Sequence, residues 1–216
     1  MKIPLINFLS QSVWIAGIIG AIRYRKIDSS YYPFIYFIWL GAFNDTLGLI
    51  LINFGFYTSV NGNIYVLLEA LLLTYFFKRL GIFKRAFTLY IALITAHLLI
   101  WLFEVLLLRS IMEPVLYARI FFSFSIVLMS ISCINQLLTT QRESLKKNPL
   151  FIICIGFIIF FTYKVLVNTF WLYGLKQSKS FVLNIYTILI YINLFCNLIY
   201  ALATLWIPKK QPSLLP

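Results

Sequence analysis

Charge is scarce in this 216-residue chain: 11% of its residues are charged, and only six are acidic. There is one histidine, which leaves no H-x-x-x-H or H-E-x-x-H pair and excludes the common zinc-hydrolase spacing. No metal and no cofactor is expected. The three cysteines, Cys133, Cys154 and Cys196, all fall inside apolar runs, with neither disulfide nor metal spacing. They read as small core residues. Strict apolar–polar alternation is missing, and the apolar runs are too long for barrel strands. The amino-terminal apolar run has no small-residue cleavage site, so it reads as a retained helix rather than a signal peptide.

What is abundant points to the bilayer. The chain is 62% hydrophobic with mean hydropathy +0.93, the balance of a membrane protein. Its net charge of +12 would suit a nucleic acid, but the basic residues sit in short clusters between apolar runs. A nucleic-acid partner is therefore not expected.

Seven apolar segments follow in order: 4–22, 31–53, 63–77, 86–108, 113–138, 148–173 and 181–207. About 20 helical residues at 1.5 Å rise cross the hydrocarbon layer, so each segment predicts a spanning helix. Ser29 and Ser30 are possible caps ahead of Pro33, Asn148 precedes Pro149, and Pro208 stops the last run. The expected fold is all-α, a polytopic membrane protein of seven transmembrane helices. One domain covers 1–208, and 209–216 form a short tail without an attached kinase, cyclase or binding domain.

Twelve lysines and arginines flank one side of these segments, at 23–26, 78–85, 142–147 and 209–210, against Lys2, Arg109, Lys176 and Lys179 on the other. The positive-inside rule then predicts an amino terminus outside and a carboxyl terminus in the cytoplasm.

Asp45 stands just past the middle of the second segment, where an acid costs about 2.5–3.5 kcal/mol on insertion scales. Counting from helix ends puts Lys164 and Glu69 at nearly the same depth, with His97 at the centre of the fourth segment. Asp45 and Lys164 form a candidate pair, which would leave Glu69 to His97 or to a cationic guest. Glu104 and Arg119 each lie seven residues outward of their helix centres, on neighbouring antiparallel helices, and predict an ion pair. Polar stripes at helical spacing join them: His97, Trp101 and Glu104; Arg119, Ser123, Ser130 and Cys133; Lys164 and Asn168; Tyr186, Asn193, Asn197 and Tyr200. The serines and asparagines can equally be interhelical hydrogen bonds, and His97 a satisfied core residue. Asp45, Glu69, His97, Lys164, Asn168 and Asn193 are the candidate ligand-binding residues, on the wall of an outward-facing polar cavity. Segments 2–3 and 6–7 share a proline start, a mid-span ionisable residue and the tripeptide Asn-Ile-Tyr at 63–65 and 184–186. If this is a duplication, the plan is 3+1+3.

With NPLFIICIGFIIFF opening the sixth segment and Asn-Ile-Tyr opening the third, the chain resembles small seven-helix membrane proteins of Bacteroidota. Some of these resemble the membrane halves of sensor histidine kinases. The resemblance implies a multi-pass protein of a bacterial inner membrane and carries over no catalytic residue. A retinal protein is excluded, since the seventh segment has no lysine for a Schiff base.

Four functional readings stay open. A sensor-like or receptor-like bundle would bind a small molecule from outside and signal through a separate protein. A transporter would carry a small solute or cation. An intramembrane lipid-acting enzyme would use Asp45, Glu69 and His97 as acid and base groups. A subunit serving only assembly is the plainest alternative.

Overall fold

The computed structural model describes residues 11–140, 145–173 and 179–209, with backbone alone at 140, 146, 179, 180, 182, 183 and 186. Within these, seven α-helices account for nearly all regular structure: α1 Val13–Arg23, α2 Tyr32–Asn53, α3 Ser59–Arg79, α4 Phe87–Phe103, α5 Leu116–Thr140, α6 Pro149–Leu172 and α7 Lys179–Trp206. Helices α2 to α7 are long and apolar enough to cross a membrane. This is a multi-pass membrane protein. The expected start of the first helix at 4–10, the tail beyond 209, Arg142, Lys176 and the Tyr186 side chain lie outside the described residues.

Helix ends follow local chemistry. The Asn148 side chain accepts from the backbone N–H groups of Leu150 and Phe151, and Pro149 begins α6. Helices α2 and α3 end alike, each on a glycine in the left-handed region, Gly55 (φ 75°) and Gly81 (φ 87°). Gly55 N–H donates to Ile52 and Phe56 N–H to Leu51, while Gly81 donates to Lys78 and Ile82 to Phe77. These paired bonds satisfy carbonyls a helix terminus would otherwise strand. Beyond Phe103, α4 widens into a π-helical turn, Glu104–Leu108, so the fourth apolar run is continuous but its last turn is not α.

Packing closes a ring in the order α1, α2, α3, α5, α6, α7 and back to α1. Helix α4 stays outside the ring, against α3 and α5. Between Phe87 and Phe103 its one fully buried residue is His97. Leu99, Leu102 and Phe103 of the same helix are exposed, as expected for side chains that face acyl chains.

The two ends of the ring differ. At the end carrying Arg23, Lys78, Arg79 and Lys209, the interior is filled by aromatics. Phe157 lies 5.5–6.3 Å, ring centroid to centroid, from Phe34, Phe37, Phe76, Phe77, Phe161 and Tyr200. Tilted and edge-on pairs of this kind add to the stabilisation from burial. The same end is tied by backbone: Asp28 N–H donates to Pro208 O at 3.0 Å, and Ile27 pairs with Lys209 in an isolated antiparallel bridge. Arg23 donates to the carbonyls of Thr204, Leu205 and Ile207, capping α7 from α1.

Candidate functional site

Toward the other end the interior opens. Asp45 sits eight residues before the end of α2, about 12 Å along the axis from it. It lines a cavity of about 230 Å³ with Tyr65 of α3, Lys164 of α6, and Asn193, Asn197 and Tyr200 of α7. The aromatic cluster is its floor, since Tyr200 and Phe37 belong to both.

The pairing of charges differs from the expectation. Lys164 Nζ lies 2.7 Å from Glu69 Oε2, and Tyr65 donates to Glu69 Oε1 at 2.9 Å. Lys164 also stacks on the rings of Phe160 and Phe161, at 5.1 and 4.9 Å. Glu69, not Asp45, therefore neutralises the lysine. The reason is azimuth: the three groups count to a similar depth from their helix ends, but Glu69 is buried and turned toward Lys164. Asp45 receives one hydrogen bond among the described residues, from Asn44 Nδ2 at 3.3 Å. Among the described residues, no basic side chain lies within ion-pair distance of Asp45.

His97 joins neither acid. Its ring packs edge-on to Phe121 and Phe122, with centroids 5.5 and 4.7 Å away, and among the described residues neither nitrogen has a hydrogen-bond partner. The acid–base set of Asp45, Glu69 and His97 is thus not assembled at one place. Asn168 turns back on its own helix, donating to Lys164 O at 2.6 Å. Asn193 lines the cavity, and Asn197 lines it while donating to Ser12 Oγ at 2.9 Å. The hydroxyls of Thr74, Ser130 and Thr204 bond to carbonyls four residues back, which accounts for them as internally satisfied core groups. The buried Tyr200 hydroxyl has no partner among the described residues.

The expected Glu104–Arg119 pair is replaced by two separate arrangements. Glu104 is fully buried, and its carboxylate accepts the backbone N–H groups of Leu116, Tyr117 and Ala118 at 2.5, 3.1 and 2.7 Å. It caps α5 from the neighbouring helix, where the dipole favours an anion. Arg109 approaches the same carboxylate at 3.5 Å. Arg119 instead directs Nη2 to Asn63 Oδ1 at 3.4 Å.

Asn63 is a junction the sequence reading passed over. Its side chain donates to the carbonyls of Ile111 and Glu113 and accepts from Val115 N–H, while its backbone carbonyl accepts from Trp101 Nε1. One residue thus joins α3 to α4 and to the connection leading into α5. Its position in Asn61-Gly62-Asn63, at the start of an apolar run, was the available signal. A second polar cavity, about 340 Å³, adjoins it and was not anticipated. Asp45 lines this one too, with Asn44, Asn61, Gly62 and Arg119. Asp45 is a wall shared by two cavities.

No protein-family model matches the chain, and neither curated proteins nor solved structures provide a match.

Proposed function

We propose that this protein is a sensor-like or receptor-like component of a bacterial inner membrane. In this reading it takes up a small cationic or amine-bearing molecule from the outer side and reports occupancy to a separate protein. The carrying observation is Asp45. A carboxylate in an apolar span is costly without a partner, and Lys164, the cation beside it, is already committed to Glu69. The Tyr200 hydroxyl, buried and unpartnered on the floor of the same cavity, supports a guest with hydrogen-bonding capacity. The filled aromatic end coincides with the basic clusters. By the positive-inside rule that end is cytoplasmic, the amino terminus is outside and the cavity faces outward. The inner-membrane assignment rests on the resemblance to Bacteroidota proteins.

A transporter is the second reading, favoured by the ring itself. It divides into α1–α2–α3 and α5–α6–α7, with α4 outside, as a 3+1+3 plan requires. The test is calorimetric titration of the protein in nanodiscs with tetramethylammonium and small primary amines. The expected result is binding that Asp45→Asn weakens at least tenfold. Absence of binding by the wild-type protein would sink both readings. Counterflow of a bound amine in proteoliposomes separates them, since a sensor gives none.

A further inference from the structure

The 340 Å³ cavity lies between α2, the first turn of α3 and the beginning of α5. Its volume is at the low end for small-molecule sites, which suits a ligand of few heavy atoms. What distinguishes it is charge of both signs on its walls: Asp45 from α2 and Arg119 from α5. Polar groups line the space between, and Asn61 donates to Asn44 at 2.9 Å while Asn44 donates to Asp45. That chain runs from the α3 start to the carboxylate. The remaining wall carries Leu49 and Ile52.

Gly62 gives the guanidinium its place. A Cβ there would stand 3.1 Å from Arg119 Nη2, tighter than nine in ten real contacts, so the guanidinium would have to shift by a few tenths of an ångström. The planar fork of Arg119 suits a carboxylate, which it can meet with two parallel N–H···O bonds. An anion alone would be repelled by Asp45, and a cation alone by Arg119. A molecule with both charges satisfies both walls.

We infer that this second cavity is a binding site for a small zwitterion of the α-amino-acid class, with the ammonium toward Asp45, the carboxylate toward Arg119 and an aliphatic side chain against Leu49 and Ile52. The inference deepens the proposed cation-binding role of Asp45 and rests on it.

The test compares three probes by calorimetry on the full chain in nanodiscs: L-leucine, its methyl ester (a cation without the carboxylate) and N-acetyl-L-leucine (an anion without the ammonium). The zwitterion is expected to bind at least tenfold more tightly than either derivative. Arg119→Met is expected to weaken L-leucine binding and to abolish its preference over the ester, whose own binding should hold or rise once the guanidinium no longer repels it. Because Arg119 also holds Asn63, Gly62→Ala provides a second variant that keeps every charge and only displaces the guanidinium. It too should reduce the preference for L-leucine. If the ester binds as tightly as L-leucine, and Asp45→Asn abolishes both, the zwitterion inference fails while the Asp45 reading stands. If none of the three binds the wild-type protein, the zwitterion inference fails, and the Asp45 reading stands only if tetramethylammonium or a small primary amine binds.

Discussion

Lys164 lies within the apolar part of α6, where a lone ammonium would be expensive, and its stability depends on Glu69. Breaking a buried ion pair by removing one member leaves an uncompensated charge, at a cost of about 3–5 kcal/mol. Lys164→Met is therefore expected to lower the thermal midpoint in detergent strongly. Adding Glu69→Gln should recover most of the loss, so the double variant will be more stable than Lys164→Met alone. Combining Lys164→Met with Asp45→Asn should give no comparable recovery, because Asp45 is not the partner. If Asp45→Asn rescues and Glu69→Gln does not, the pairing described here is wrong. The depth of all three groups could be counted from the sequence. Which acid meets the lysine could not, because counting residues yields height along a helix and not the direction a side chain faces around the ring.

At the scale of elements, the structure is held at two seams. The first is the α4–α5 connection, where Glu104 caps α5 and Asn63 receives the intervening backbone. Hydrogen bonds to a charged group contribute about 1.5–3 kcal/mol net, so Glu104→Gln should destabilise by about 2 kcal/mol. Asn63→Ala leaves buried carbonyls without donors and should cost about 3 kcal/mol. Chemical denaturation monitored by tryptophan emission will measure both, and a change below 0.5 kcal/mol would refute the capping role. The second seam is the close approach of α6 and α7 at Gly156. A Cβ there would fall 2.6 Å from a ring carbon of Tyr200. Gly156→Ala is expected to destabilise by about 1–3 kcal/mol, the usual range for overpacking a filled core.

Asp28 marks the edge of α2 outside the membrane. The Ser30 side chain, then its backbone N–H, hold the Asp28 carboxyl below its ordinary value of 3.8. A carboxyl depressed in the folded state contributes stability above its unfolded pKa and loses it as pH falls through the folded one. The thermal midpoints of wild-type protein and Asp28→Asn should therefore differ at neutral pH and converge as the pH falls below the ordinary carboxylate range. A difference that persists in acid would mean that the contribution is not electrostatic.

Across the whole molecule, one end of the ring is filled, basic and tied together, and the other contains two cavities. Orientation can be tested directly, since the three native cysteines are buried. Tyr57 is 83% exposed in the α2–α3 connection, and Arg85 is exposed between α3 and α4. In intact cells, a membrane-impermeant maleimide should label Tyr57→Cys and leave Arg85→Cys unlabelled until the membrane is opened. The reverse pattern would place the cavities on the cytoplasmic side and overturn the outward-facing reading.

Apolar run length and proline and asparagine at helix starts are local properties, and they sufficed to identify a multi-pass helical membrane protein and to bound α2 to α7 within a few residues. The cost of a mid-span acid pointed to Asp45 and the polar stripes to Lys164 and Asn193 as inward groups, and all three line a cavity. Partner choice was decided only by the tertiary structure. Glu104 turned to the backbone of α5, Arg119 to Asn63, and His97 to two phenylalanines, because the placement of α4 outside the ring set what each could reach. The azimuth and lateral position of a helix depend on how every other helix packs, and that information is spread over the whole chain.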